Sequence, residues 1–262
     1  MVKAKKSLGQ NFLKDEEVLR KIVEAAELKR DDQLLEIGPG QGFLTKALLE
    51  KSDKLIAVEL DDRLIVGLLE RFKKYPGFVL KHENALQFTP PAGAYKIVAN
   101  IPYYITSPLL NHFLLEQFQH GNPPELMVLM VQKEVAEKIV AKNKGESVLS
   151  LEVKLFGEVE LVTKVPATAF FPAPSVDSAV IKVRVAKAPK VKGDLKKIFW
   201  LFHVSFAQRR KKLSNNLAAV LHKEPSEMRE MLENLQIHPD KRAEELSFEE
   251  WQKLYDAVSE LR

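Results

Sequence analysis

Leu34-Leu35-Glu36-Ile37-Gly38-Pro39-Gly40-Gln41-Gly42 is the stretch that decides the fold. An apolar run of strand character enters a glycine-rich turn, and a helical pattern opens directly after it at Phe43. Glycines in such a turn permit positive φ and let a ligand approach the backbone closely. The next strand pattern, 55–59, ends on Glu59, about 20 residues beyond the turn, where a carboxylate can accept both hydroxyls of a ribose.

Working outward, strand patterns recur at 78–81, 97–100 and 126–131, then at 160–165 and 179–185. Helical patterns fall between them, at 16–27, 43–50, 63–74, 107–119 and 133–141. This alternation predicts an α/β domain whose mostly parallel sheet is covered on both faces. The last two strands are separated only by the loop 166–174 and are expected to close one edge as an antiparallel pair. The polar, proline-containing stretch 187–193 reads as a linker. Beyond it the pattern is helical throughout, at 195–206, 212–221, 226–235 and 247–261. Ser247-Phe248-Glu249-Glu250 has the form of a capping box. The expected organisation is an α/β domain over 1–186 and a small C-terminal all-α domain over 187–262.

Composition narrows the function. The 262 residues are 45% hydrophobic and 29% charged, an ordinary balance for a globular protein. No apolar run approaches the ~20 residues that span a bilayer. The start, Met1-Val2-Lys3-Ala4-Lys5-Lys6-Ser7, lacks the apolar core of a secretory signal, so a cytoplasmic protein with no membrane partner is expected. Cysteine is absent, which excludes disulfides, thiolate metal sites and cysteine nucleophiles, and no metal is expected. The net charge of +4 is unevenly spread. Residues 187–212 hold nine Lys/Arg against Asp194, a balance of +8, whereas 213–262 hold six basic and eleven acidic residues, a balance of −5. A charge run is ordinarily a solvated surface. A basic block beside a counter-acidic one favours a phosphate-binding face, and hence nucleic acid.

The glycine turn also says which cofactor it suits. A dinucleotide fingerprint puts its third small residue on the helix. Here that position is Phe43, and the third glycine comes one residue early, at Gly42. Such a turn suits S-adenosylmethionine, which has no pyrophosphate to cradle. The Glu36 carboxylate beside the turn would repel a pyrophosphate but suits a sulfonium or amino-group cation. Asn84, in His82-Glu83-Asn84-Ala85, reads equally as a side-chain amide for the cofactor's adenine or as a local turn residue.

Ala99-Asn100-Ile101-Pro102-Tyr103-Tyr104 follows the fourth strand. An exocyclic adenine amine is a poor nucleophile because its lone pair is delocalised into the ring. Two acceptors aimed at its N–H bonds, the Asn100 side-chain carbonyl and the Ile101 backbone carbonyl, would bias the nitrogen towards a tetrahedral geometry and free that lone pair. Pro102 stiffens the loop, and Tyr103 would stack on the base, worth ~1–3 kcal/mol. Taken alone, the tetrapeptide reads as readily as a proline-punctuated strand exit with two core tyrosines. Its position after this glycine turn favours catalysis on a base that is unpaired or flipped out. Phe170, in Ala169-Phe170-Phe171-Pro172-Ala173-Pro174-Ser175-Val176, is expected to close the other face of that base, although a Phe-Phe pair is more often core.

Together these segments resemble the KsgA family of small-subunit rRNA adenine dimethyltransferases. The resemblance runs from Lys6-Ser7-Leu8-Gly9-Gln10-Asn11-Phe12-Leu13 through the glycine turn, Glu59, the Asn-Ile-Pro-Tyr-Tyr segment and Val131-Gln132-Lys133-Glu134-Val135-Ala136. It continues in 170–178, of the form F-x-P-x-P-x-V-x-S, and in Phe206-Ala207-Gln208-Arg209-Arg210-Lys211-Lys212-Leu213. It implies a Rossmann-like class I methyltransferase fold with a seven-stranded sheet. It also implies S-adenosylmethionine held by Gln10, Asn11, Leu13, Glu36, Gly38, Gly40, Glu59, Asn84 and Asn100. The family carries Asp where this chain has Asn84 and Lys where it has Ser175; Asn keeps an acceptor, so cofactor binding is expected to survive. The implied reaction is N6,N6-dimethylation of two adjacent adenosines in a hairpin loop near the 3′ end of small-subunit rRNA. The implied substrate is a partly assembled 30S-type subunit, met by a monomer. Arg209, Arg210, Lys211 and Lys212 would face RNA phosphates, with Lys5 and Lys6 reinforcing.

Two rival readings stand beside it. One is a macrolide-resistance type of methyltransferase acting on large-subunit rRNA, disfavoured by the acidic helical tail and the F-x-P-x-P-x-V-x-S segment. The other is a non-catalytic RNA-binding assembly or transcription factor, disfavoured by the intact glycine turn and Asn-Ile-Pro-Tyr-Tyr.

Overall fold

The computed structural model describes residues 4–5, 8–141 and 145–260. The chain forms two compact units, one of Met1–Glu137 with Glu158–Ala186, the other of Lys138–Gly157 with Lys187–Arg262.

The first unit is built on a seven-stranded sheet. Its strands are β2 (Gln33–Ile37), β3 (Lys54–Glu59), β4 (Phe78–His82), β5 (Lys96–Asn100), β6 (Leu126–Gln132), β7 (Gly157–Val165) and β9 (Ser178–Val185). They lie in the order β4-β3-β2-β5-β6-β9-β7. The pairs β2–β3, β3–β4, β2–β5 and β5–β6 are parallel, and β9 runs antiparallel to β6. The last two strands do close one edge, with β9 inserted between β6 and β7. A separate antiparallel ribbon joins β1 (Phe12–Leu13) to β8 (Phe170–Phe171), setting Phe12 opposite Phe171 and Leu13 opposite Phe170.

Strand β2 has β3 on one side and β5 on the other. The loops leaving the carboxyl ends of β2 and β5 therefore diverge and open a crevice, the usual ligand position in an open α/β sheet. Central parallel strands are buried on both faces and read as continuous apolar runs. Leu34, Leu35 and Ile37 follow that rule; Glu36, equally buried in the same strand, breaks it.

Three helices complete the local frame. Helix α1 (Glu16–Ala25) starts where the Asp15 carboxylate accepts the Glu17 and Val18 N–H groups, both at 3.0 Å. Helix α3 (Asp62–Phe72) starts at Asp61, which accepts the Arg63 N–H. Helix α2 (Phe43–Leu49) has no side-chain cap and begins from Gly42. Their apolar faces, including Ile22, Leu48, Leu68 and Phe72, pack into one core with Leu34, Leu55, Val98 and Val128. Where a single helix was expected over 107–119, the chain makes a 3-10 turn Tyr103–Ile105, helix α4 (Thr106–Leu110), a π-helix Asn111–Glu116 and a last short turn α5 (Gln117–Gln119). His112 in the π segment is buried and held at both ring nitrogens, by Glu116 Oε2 at 2.6 Å and the Phe88 carbonyl at 2.9 Å.

The second unit is helical: α7 (Val148–Leu155), α8 (Leu195–Ser205), α9 (Leu213–Leu221), α10 (Pro225–Asn234) and α11 (Phe248–Glu260), with α6 (Lys133–Val140) leading into it. The sequence division at 186/187 is one crossing between units; residues 138–157 also belong with the C-terminal helices. Periodicity passed over α7, whose signal is the reciprocal cap of Ser147 and Ser150. The expected capping box at Ser247 and Glu250 is present. The stretch 187–193 is not a free linker. Val191 is fully buried, the Lys190 N–H donates to the Leu155 carbonyl at 2.8 Å, and Gln252 holds the Lys192 backbone. Phe202 meets Trp251 edge-on, with ring centroids 4.9 Å apart, at the centre of this unit.

Candidate active site

A cavity of about 330 Å³ opens at the carboxyl ends of β2, β3 and β5, a volume suited to a small-molecule ligand. The glycine turn forms one wall. Its Gly38 N–H donates to the Val58 carbonyl at 2.9 Å, tying the turn to β3. Gly42 has φ of +81°, and a Cβ there would lie 2.6 Å from the Phe72 ring. Packing against α3 therefore sets the place of the third glycine, one residue ahead of the dinucleotide position.

Two carboxyl groups line the cavity from neighbouring strands, in opposite states. Glu59 is nearly buried and fully engaged: Oε1 accepts the Leu60 and Asp61 N–H groups at 2.8 Å each, and Oε2 accepts the Gly40 N–H at 3.2 Å. Burial still pushes its pKa up, partly opposed by those three donors. Glu36 is 1% exposed, and neither carboxyl oxygen has a hydrogen-bond partner. Burial raises its pKa to about 8; the charge of Glu59 adds to this, and the nearby Thr45 hydroxyl, itself without a hydrogen-bond partner, only partly opposes it.

The N-terminal segment closes a second wall. Gln10 borders the cavity, yet both ends of its amide are used: Oε1 accepts the Lys5 N–H at 2.7 Å and Nε2 donates to Asp61 Oδ2 at 2.8 Å. It is a strap more than a ligand contact. Asp61 is held well below the usual carboxylate range, chiefly by the Arg63 guanidinium. Asn11 donates from Nδ2 to the Gly9 carbonyl, and its own carbonyl accepts Asn100 Nδ2 at 3.2 Å. Leu13 is buried on the cavity wall. Asn84 also lines the cavity, but its Oδ1 accepts the Leu86 N–H at 3.0 Å. Of the two readings the sequence left open, that oxygen takes the turn.

Asn100 ends β5, with the Ile101 N–H donating to the Met130 carbonyl at 3.2 Å. Since Asn100 Nδ2 is spent on Asn11, the amide is fixed with Oδ1 as its remaining acceptor. Pro102 starts a tight turn closed by the Ile105 N–H. Tyr103 lines the cavity, half-buried, with its hydroxyl 2.6 Å from Ser178 Oγ at the start of β9. Burial raises the phenol's pKa.

Two expectations need correction. Phe170 is not among the residues that line the cavity; it is 2% exposed, paired opposite Leu13 and part of the core. Successive strand residues point to opposite faces, so the ring on the outer face is Phe171, which is 70% exposed. The quartet 209–212 is also divided. Arg209 donates to the Glu146 carbonyl at 3.1 Å and to Glu244 at 3.2 Å, and Lys212 pairs with Asp240 at 2.7 Å. Arg210 and Lys211 are exposed, and no side-chain partner is found for either among the described residues. Lys5 is exposed. Lys6 lies outside the described residues. Sequence reading missed Asp61, Phe12 and Ser178; of these Phe12 had a signal in the N-terminal segment 6–13, and Ser178 as the last residue of the F-x-P-x-P-x-V-x-S segment.

Residues 1–260 match the family described as ribosomal RNA adenine dimethylase. The chain belongs to that family. Among curated relatives, a protein of Dehalococcoides mccartyi (strain CBDB1) called ribosomal RNA small subunit methyltransferase A is 45% identical over 259 residues, covering 97% of this chain and 88% of the relative. A protein of the same name from Clostridium botulinum (strain ATCC 19397 / Type A) is 39% identical over 267 residues, covering 99% and 95%. Among solved structures, a dimethyladenosine transferase from Plasmodium falciparum superposes with a TM-score of 0.82 at 27% identity, covering 95% of this chain and 98% of that one. The 23S rRNA methyltransferase ErmE follows with a TM-score of 0.75 at 28% identity, covering 95% and 100%. The sheet is thus the Rossmann-like one of class I methyltransferases, and the chain is an S-adenosylmethionine-dependent rRNA adenine dimethyltransferase of this family.

Proposed function

We propose that this enzyme dimethylates the N6 amino groups of two adjacent adenosines in a hairpin loop near the 3′ end of small-subunit rRNA, acting as a monomer on a partly assembled subunit in the cytoplasm. The observation that carries the reading is Asn100. Its amide is locked by the Asn11 carbonyl so that its oxygen remains to accept at the cavity, beside Tyr103. The similarity to relatives named for the small subunit, at 39–45% identity over nearly the whole chain, favours that subunit over the large one.

The residues present fit S-adenosylmethionine. A buried carboxyl without a partner needs a cation or a proton, and Glu36 on the cavity wall offers itself to the cofactor's amino-group cation. Glu59, held rigid by three backbone donors, keeps acceptor capacity for ribose hydroxyls. Gly38 and Gly40 let the cofactor approach the backbone, while Asn11, Leu13 and Asn84 border it and Gln10 fastens the N-terminal segment through Asp61. When bound, the cofactor supplies an electrophilic methyl group. Asn100 Oδ1 and the Ile101 carbonyl accept the N6 hydrogens and free the nitrogen lone pair, and Tyr103, tethered at its hydroxyl, stacks on one face of the base. Much of the remaining rate comes from positioning. Arg210 and Lys211 contact RNA phosphates, with Lys5 assisting; Arg209 and Lys212 shape their turn.

The test is incubation with labelled cofactor and, separately, unmethylated small and large ribosomal subunits. Label is expected in small-subunit rRNA; label confined to large-subunit rRNA would overturn the choice of substrate.

A further inference from the structure

The chain has 21 aromatic residues, all within the described segments. Of these only Tyr104, 58% exposed, and Phe171, 70% exposed, present their rings to solvent. One of them borders the cavity, and the other stands on the ribbon whose Phe12 and Leu13 line it. Tyr104 lines it directly, next to the proposed base-stacking Tyr103. Phe171 stands opposite Phe12 in the β1–β8 ribbon. Directly opposed residues of an antiparallel pair share one face, and on that face the Phe12 ring lies against the glycine turn and lines the cavity. The other face of the ribbon carries Leu13 and Phe170, both buried. Phe171 therefore projects from the Phe12 face of the ribbon, where it is exposed. Cationic side chains share this rim: Lys14 and Arg71 both line the cavity.

An exposed ring on the wall of a nucleotide-sized cavity, a second on the ribbon beside it, and the neighbouring cations match what unpaired RNA presents, which is flat bases on a charged backbone. We propose that Tyr104 and Phe171 form a stacking platform for the unpaired nucleotides flanking the adenosine under modification, separate from the pocket that holds the adenosine itself. This rests on the functional reading above and deepens it. The platform gives the neighbouring base somewhere to stack while the target is splayed out of the loop. It also accounts for two large apolar rings that are left in water.

The test compares Tyr104→Ala and Phe171→Ala with the unsubstituted enzyme on unmethylated small subunits, alongside calorimetric titration with S-adenosylmethionine. Each alanine variant is expected to lower kcat/KM for the subunit about tenfold while cofactor Kd stays within about twofold, no more than ~0.4 kcal/mol. Phe171→Trp, which keeps a π-face, is expected to retain activity, and Phe171→Leu, apolar but flat-faced no longer, to behave like Phe171→Ala. Unchanged kcat/KM in both alanine variants would overturn the platform. Full activity of Phe171→Leu would overturn it too, and would point to a protein surface as the partner. Absence of any methylation by the unsubstituted enzyme would instead overturn the functional reading, and the platform with it.

Discussion

The strand ends around the cavity and the basic turn 209–212 both read as functional from sequence, and they differ in how their polar groups are spent. At the end of β5 and in the turn after it, Asn100 and Tyr103 are each held by one part and left open at another. Asn100 gives its Nδ2 to Asn11 and keeps its oxygen; Tyr103 gives its hydroxyl to Ser178 and keeps its ring. In the basic turn the division is between residues. Arg209 and Lys212 are consumed by Glu244 and Asp240, whereas Arg210 and Lys211 remain for solvent or a phosphate. A site that does chemistry needs fixed groups with one free end, whereas a site that gathers charge needs some cations fixed as scaffold and others free.

The sharpest way to break this comparison is Asn100→Ala. Removing the oriented acceptor is expected to cut methyl transfer about 10²–10³-fold with RNA affinity nearly unchanged; a parallel fall in RNA binding would place Asn100 among the gathering residues. A smaller effect is expected in the basic turn, read from the salt dependence of subunit binding. Arg210→Ala with Lys211→Ala should weaken binding and lower the salt slope by about one for each phosphate that is no longer neutralised. Arg209→Ala with Lys212→Ala should instead act mainly on stability. Equal salt slopes for the two pairs would erase the division.

The smallest expected effect concerns Glu36, the one strand-end group with nothing holding it. Its folded pKa, about 8, lies above the usual carboxylate range. Below that range both folded and unfolded chains hold the proton, and stability is undiminished. As pH rises towards about 8 the unfolded chain ionises while the folded chain does not, so stability falls across that window. Glu36→Gln removes the loss. Melting of the cofactor-free protein from pH 5 to 9 should show the variant gaining on the parent, on the order of 5 °C by the upper end. Parallel curves would mean that Glu36 is already ionised and partnered.

Much of this was legible in the sequence because period and punctuation carry it. The strand run 34–37, the glycines that follow and the acid closing the next strand require no tertiary information. Asn100 was legible for the same reason, since it stands where a strand must end before proline. What was not legible depends on partners far along the chain. Phe170 and Phe171 are chemically identical, and only the pairing of Phe170 with Leu13 decides which is core. The quartet 209–212 is uniform in sequence, and its division is made by Glu146, Glu244 and Asp240, 63, 35 and 28 residues away. Helix α7 was passed over because it is short and rests on a serine cap. The stretch 187–193 looked free because a single buried Val191 does not show in a polar context.

The central claim is that this cavity dimethylates adenine nitrogens of small-subunit rRNA. Its most direct test is mass spectrometry of nuclease-digested rRNA from unmethylated small subunits treated with the enzyme and S-adenosylmethionine. The account predicts N6,N6-dimethyladenosine at two adjacent positions near the 3′ end, approached through a monomethyl intermediate. Methylation at any other atom or base, or accumulation of N6-monomethyladenosine alone, would contradict it.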